Sequence, residues 1–271
     1  MKIIFCPLFF LLFQFTVKAQ VKPVTFDTKI VYKFTYQNDS TSSASRRSVF
    51  TQLTIGEQES HFQTLSKFRS DSALAQKGGS IWSVYSYGRI EPNNFLIVKR
   101  GDVISTYEPL NGMGFSGNNE LSYYEEKKEV MQWEMHPDTA HIHGFVCQKA
   151  TTDWGGRKWT AWFTMDIPIS DGPYKFCGLP GLVLSISDQD KYFTFDIASI
   201  GKVNSISFTF DQLRPDLDLQ KTTKESFYKD RKDLRNNMTA YALATGTRLD
   251  EEAKRRVTLD IKTDNNHIER H

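Results

Sequence analysis

Ile167-Pro168-Ile169-Ser170-Asp171-Gly172-Pro173-Tyr174-Lys175-Phe176-Cys177-Gly178-Leu179-Pro180-Gly181-Leu182-Val183 interrupts a succession of strand-like runs with prolines and glycines. Pro168 and Pro173 cannot donate ladder hydrogen bonds, which removes residues 167–174 from any central strand. Ser170-Asp171-Gly172-Pro173 reads as a turn that reverses the chain. Pro180-Gly181 fits the central pair of a type II turn in which Gly181 accepts a positive φ, and Gly178 is a second flexible point. The stretch is a corner that delivers one strand into the next, with structural roles for Gly172, Pro173, Gly178, Pro180 and Gly181. It also reads as the lip of a pocket. Trp159, Trp162, Tyr174 and Phe176 offer aromatic surface beside irregular backbone, which suits an apolar or extended ligand. Arg157 could meet an acidic group of that ligand, or serve a structural salt bridge or a stack on an indole.

Working outward, apolar residues alternate over short runs. Residues 29–36 place Ile30, Tyr32 and Phe34 on one face. Residues 50–54 and 60–65 flank Gly56-Glu57-Gln58, and further strands are expected over 81–87, 95–99, 103–107, 131–135, 145–152 and 157–165. Asp153-Trp154-Gly155-Gly156 is a hairpin signal. Past the corner, residues 182–187 and 192–197 form another hairpin around Asp188-Gln189-Asp190-Lys191. Short sequential strands with brief turns imply antiparallel pairing, because parallel neighbours need long crossovers. The Ser/Thr-rich residues 38–47 read as a mobile loop. Residues 219–256 are rich in charge and free of proline apart from their upstream flank, and Thr223 with Ser226 could open a helix. The expected fold is mainly β: one strongly curved antiparallel sheet, half-barrel-like, with a few short helices chiefly near the C-terminus.

Lys2 followed by an apolar run over residues 3–17 and Val17-Lys18-Ala19 reads as a secretory signal peptide cut after Ala19. The run of about 15 residues is short of the roughly 20 needed for a membrane span. Residues 1–19 are therefore expected to be a leader and residues 20–271 a single β-rich domain, periplasmic or secreted, with no transmembrane span after cleavage. A net charge of +2 argues against nucleic acid as a partner, and 20 Phe, 11 Tyr and 5 Trp supply ample apolar material. Without the leader, Cys147 and Cys177 remain, and in an oxidising compartment they are expected to form a disulfide. Such a bond, closing a loop of about 30 residues, would contribute about 3–4 kcal/mol.

Known catalytic patterns are sparse. His136, His141 and His143 cluster, and His141 and His143 would point to one side of an extended strand, but a metal site needs three or four ligands. Gly112-Met113-Gly114-Phe115-Ser116-Gly117 matches a dinucleotide fingerprint without its strand–helix setting and reads as a loop. Glu125-Glu126, Asp188 with Asp190, and Glu251-Glu252 read as solvated charges. No catalytic residue, metal or cofactor is assigned.

A resemblance covers most of the chain. Cys147-Gln148-Lys149-Ala150, Gly156-Arg157-Lys158-Trp159-Thr160-Ala161-Trp162-Phe163, Ile167-Pro168-Ile169, Gly172-Pro173 and the run from Lys175 to Gly178-Leu179-Pro180-Gly181-Leu182-Val183 follow one another as in the bacterial GLPGLI family. Leu53-Thr54-Ile55-Gly56 with Ser60 and Phe62 resembles an earlier hairpin of that family. Asn265-Asn266-His267-Ile268-Glu269 resembles its terminal N-P-I-E, with His267 in place of proline and, at the corner, Val183 in place of isoleucine. The resemblance implies an exported protein of Gram-negative bacteria, often encoded near TonB-dependent receptors. It carries over no functional residue, because the family has no agreed activity. The function expected from all of this is non-enzymatic binding of an apolar or extended ligand, or of an outer-membrane protein partner. By fold-level analogy the curved sheet is similar to half-barrels that carry lipids and lipoproteins. The alternatives are an exported peptide-acting or metal-dependent hydrolase and a structural or assembly factor.

Overall fold

Alternation over β1 (Thr25–Gln37) turns Phe26, Ile30, Tyr32, Phe34 and Tyr36 to one face, where all are buried, and leaves Asp27 and Lys33 in solvent. The structure, a computed structural model, describes residues 25–69, 95–108, 120–207, 218–237, 240 and 250–270. The leader expected over residues 1–19, the strand expected over residues 81–87 and the loop expected over residues 112–117 lie outside the described residues.

The remaining strands are β2 (Arg46–Gly56), β3 (Glu59–Thr64), β4 (Leu96–Arg100), β5 (Val103–Tyr107), β6 (Glu120–Lys127), β7 (Glu134–Ile142), β8 (Phe145–Trp154), β9 (Arg157–Thr164), β10 (Leu182–Asp188), β11 (Phe193–Ser207) and β12 (Asp218–Lys221). They form one open 12-stranded sheet in the order β12-β6-β5-β4-β3-β2-β1-β11-β10-β9-β8-β7. Neighbours are antiparallel throughout, except that β12 runs parallel to β6. Thus the mainly β, curved-sheet expectation holds, with one parallel pair added at an edge.

How strongly the sheet curls follows from one side chain. Lys175 Nζ lies 2.9 Å from Tyr124 Oη on β6 and 5.7 Å from the Trp154 ring on β8. Those strands are nine spacings apart in the sheet order, or about 43 Å if it were flat at about 4.8 Å per spacing. The sheet must therefore wrap around Lys175. Register shifts in β1, β7 and β10 assist, since a bulge bends and twists its strand.

The corner between β9 and β10 fills the hollow. Tyr174, Phe176, Cys177 and Leu179 are buried there, with Phe176 edge-on to Trp159 at 4.6 Å and Tyr174 edge-on to Phe95 at 5.1 Å. Its backbone differs from the expected turn: the positive φ falls on Gly178 (93°), not on Gly181. Gly181 is needed for close approach instead, since a Cβ there would sit 2.0 Å from Thr164 O.

Near the C-terminus the expected helical stretch begins as β12. It continues as α1 (Lys224–Asn236), where Thr223 Oγ1 accepts the Ser226 N–H at 3.1 Å, and as α2 (Glu251–Thr263), which runs past Arg256. Within the stretch expected as a mobile loop over residues 38–47, a hydrogen-bonded turn leads into β2 at Arg46: Asp39 is buried and accepts from Thr41 N and Oγ1, at 2.9 and 2.6 Å.

The Cys147–Cys177 disulfide is not formed, and both thiols are free and buried. Each is taken up by its own packing in the core: Cys147 Sγ donates to Phe145 O at 3.8 Å within β8, while Cys177 lies on the corner, where its carbonyl accepts from Trp133 Nε1 at 2.8 Å. Trp154 packs on Phe176 at 5.5 Å. Burial raises both thiols above their ordinary value, so neither is a ready thiolate.

Two outcomes are expected. The intact mass of the purified protein should be the same with and without reductant, with alkylation of both cysteines after denaturation. In urea unfolding, Gly181→Ala should lose about 3 kcal/mol or more, whereas Gly201→Ala, with nothing within 4 Å of its Cβ position, should stay within about 0.5 kcal/mol of wild type.

Candidate functional site

Asp171 enters the hollow at the first turn of the corner and is met from three sides. Ser60 Oγ of β3 donates to Oδ2 at 2.5 Å, Gly172 N donates to Oδ1 at 2.7 Å, and the Lys99 ammonium of β4 pairs with Oδ1. Lys99 Nζ also donates to Gly172 O at 2.7 Å. A buried ammonium needs such partners, because an unpaired charge in the interior is very costly. Across the sheet, Tyr32 Oη of β1 donates to Val183 O at 2.8 Å. The corner is thereby pinned to β1, β3 and β4.

A second cluster surrounds Lys175, which is fully buried. Its Nζ lies 2.5 Å from Glu126 Oε2 and 2.6 Å from Glu269 Oε1, and it donates to Tyr124 Oη at 2.9 Å. Tyr174 Oη donates to Glu269 Oε1 at 2.6 Å. Lys224 of α1 lies 2.7 Å from Glu269 Oε2 and also pairs with Glu126. Aromatic faces complete the cage: Lys175 Nζ is 4.8 Å from the Tyr124 ring centroid and 5.5 Å from that of Tyr174. Burial works to strip the Lys175 proton, but Glu269, Tyr228 and Glu126 outweigh it and hold the ammonium above its ordinary value. Burial and the Glu269 charge raise Tyr124, Tyr174 and Tyr228, which stay protonated as donors. Tyr174 holds a left-handed φ of 53°, which costs about 1–3 kcal/mol for a residue with a side chain and persists where packing over-determines it.

The third cluster receives the C-terminal segment. Arg157 Nη1 donates to Asp188 Oδ2 at 2.9 Å, Nη2 to Asn266 Oδ1 at 2.5 Å and His267 O at 2.6 Å, and Nε to Ile268 O at 3.2 Å. The guanidinium lies 4.6 Å from the Phe193 ring centroid. Burial pulls Arg157 below its ordinary value, offset by Asp188. Burial likewise raises Asp188, offset by the Phe193 N–H and Arg157. The segment's backbone is held too: Asn265 N and Asn266 N donate to Asn38 O at 3.0 and 2.8 Å, and Arg270 N donates to Gly155 O at 2.9 Å. Gly155 and Gly156 form the β8–β9 turn with φ of 59° and 68°. A Cβ on Gly156 would lie 2.9 Å from Arg270 Cβ, so the bare hairpin tip is also the floor under the segment.

Of the residues expected to line a ligand lip, Arg157, Trp159, Tyr174 and Phe176 come together in the interior. They face the chain's own corner and tail. Trp162 stands on the opposite face of β9, half-buried and across from Lys149 and Ser185. His136 contacts Thr151 Oγ1 at 2.7 Å, while His143 sits in the β7–β8 turn with φ of 52°. Among the described residues, no group of three or more His, Cys, Asp or Glu could hold a metal ion. No described helix is long and apolar enough to cross a membrane.

Sequence reasoning passed over Lys99, Glu126, Asp188 and Lys224. Strand parity carried a signal for two of them: Lys99 shares a face with Ile97, and Glu126 shares one with Tyr124. A charge in step with an apolar face is a candidate buried ion. Glu125-Glu126 and Asp188 with Asp190 divide accordingly, since Glu126 and Asp188 point inward while Glu125 and Asp190 are exposed.

A family model described as a protein of unknown function (Porph_ging) matches residues 156–185, the span from the β8–β9 turn through the corner into β10. No curated protein matches the chain. Among solved structures, PNGF-II in one crystal form (space group P21) is similar with a TM-score of 0.53 and 14% identity, covering 78% of this chain and 34% of PNGF-II. Its C2 crystal form gives 0.53 and 13%, covering 78% and 33%. MucB in complex with MucA(peri) gives 0.30 and 10%, covering 69% of this chain and 53% of MucB. The chain thus spans about a third of PNGF-II, and at this identity the likeness is one of fold.

Removing the central cation tests the site. Lys175→Met should lower stability in urea unfolding by about 3–5 kcal/mol, because Glu126 and Glu269 would lose the buried cation that they share with Lys224.

Proposed function

We propose that this chain is an exported, non-enzymatic binding protein of the GLPGLI type whose ligand is an extended polypeptide. Residues 1–19 serve as its leader and residues 20–271 as one domain working in the periplasm or at the outer surface. The observation that carries the reading is the bound state of residues 265–270. A segment that bends at Ile268-Glu269 lies between Arg157, Tyr174, Lys175 and the Gly155-Gly156 turn, gripped through main-chain groups and through the Asn266 and Glu269 side chains. Main-chain hydrogen bonds give affinity for a peptide, and pockets for particular side chains give specificity.

The chemistry of the interior supports binding over turnover. Ser60, Lys99 and Asp171 satisfy one another inside the fold, with Ser60 donating to a carboxylate that the Lys99 ammonium already neutralises. The two thiols are raised by burial. An outer-membrane protein offering an extended segment is a partner consistent with the location expected from the leader.

Panning a random-peptide display library on the purified chain should give a sequence-selective consensus, with recovered peptides intact by mass spectrometry. Cleaved peptides, or stoichiometric zinc or copper in elemental analysis, would overturn the non-enzymatic reading in favour of a hydrolase.

A further inference from the structure

The seat of residues 265–270 reads its occupant position by position. The Asn266 amide is used at both ends: Oδ1 accepts from Arg157 Nη2 at 2.5 Å and Nδ2 donates to Gln37 O at 2.7 Å. An aspartate would set a second acceptor against Gln37 O, and an apolar residue would leave buried Arg157 without this acceptor. His267 contributes its carbonyl, and its side chain is 41% exposed. Ile268 packs half-buried against the core and gives its carbonyl to Arg157 Nε. Glu269 is received by Tyr174, Lys175 and Lys224, while the side chain of Arg270 is 52% exposed. A site built from two inward cations and Tyr174 fits a carboxylate at that position and no cationic or apolar side chain.

We propose that this seat is a peptide-recognition site for a segment of the form Asn-X-Ile-Glu supplied in trans, and that the chain's own tail is its displaceable occupant. The inference rests on the polypeptide-binding reading above and names its site and ligand class. Two features make the tail a separable occupant. It enters the interior over residues 265–270, and it is borne on α2, whose described side chains are exposed or half-buried, with Leu259 58% exposed. Tethering gives the tail a high effective concentration, so a segment in trans competes poorly until the tail is released.

The test uses the full chain with a protease-recognition sequence inserted between Thr263 and Asp264. After cutting, native mass spectrometry is expected to show residues 264–271 still bound and exchanging for an isotope-labelled synthetic peptide of residues 264–270. The uncut protein should bind that peptide about 100-fold or more weakly. Peptides carrying Asn266→Ala or Glu269→Gln should bind the cut protein about tenfold or more weakly than the parent peptide. A cut protein that loses its cooperative melt, or that sheds its tail and rebinds no labelled peptide, would overturn the proposal and make the tail a structural strap. Should exchange fail while display panning still yields a selective consensus, the assignment of this seat falls and the binding reading stands. Failure of both removes the binding reading as well.

Discussion

One buried ammonium, that of Lys175, organises the structure around it. A charge in the interior is tolerated where opposite charges and hydrogen-bond acceptors surround it, and those partners come from distant parts of the chain. Glu126 and Tyr124 arrive on β6, Glu269 on the tail, and Trp154 on β8. For all of them to reach one atom, the sheet has to curl, the corner has to sit inside the curl, and the tail has to follow it in. The net stabilisation from a buried ion pair is modest, since desolvation offsets most of the attraction. Its effect is selective: arrangements that leave Lys175 unpaired are strongly disfavoured, and this packing is the one that satisfies it.

The same logic accounts for the unusual backbone at the corner. Tyr174 takes a left-handed φ because its ring is enclosed by Phe95, Trp154 and Phe176 and its hydroxyl is spent on Glu269. Asp171, one turn earlier, anchors the opposite side through Ser60 and Lys99. The corner is thus a polar plug with an aromatic sheath. The concave face that would suit an apolar ligand is filled by the protein's own Tyr174, Phe176 and Leu179. Beside this plug, residues 265–270 meet Arg157 and the glycine turn.

Several elements were legible in advance because their physics is local. Alternation in β1, the Gly-Gly turn between β8 and β9, the prolines that break residues 167–174 and the Thr223 cap of α1 all depend on near neighbours. Elements that failed depend on distant ones. β6 escaped notice because Glu125-Glu126 reads as solvated charge unless a buried lysine is known to wait for one member of the pair. Compartment and cysteine count suggest a disulfide, but where each thiol packs in the core is decided by distant neighbours, and the two stay free. Gly181 was assigned a positive φ from its place after proline, whereas its missing side chain is required by Thr164 O, a contact made only when β9 and β10 come together.

What the amino-acid order determined by itself was most of the strands, the β8–β9 turn and the existence of a corner before β10, since hydrophobic period, proline and glycine act within a few residues. What the tertiary structure alone decided was which charges are buried, which glycines are packed against, and that residues 265–270 lie against Arg157. Those outcomes rest on pairings such as Lys175 with Glu269 and Arg157 with Asn266, whose members lie far apart in the chain, and no local pattern specifies that they meet.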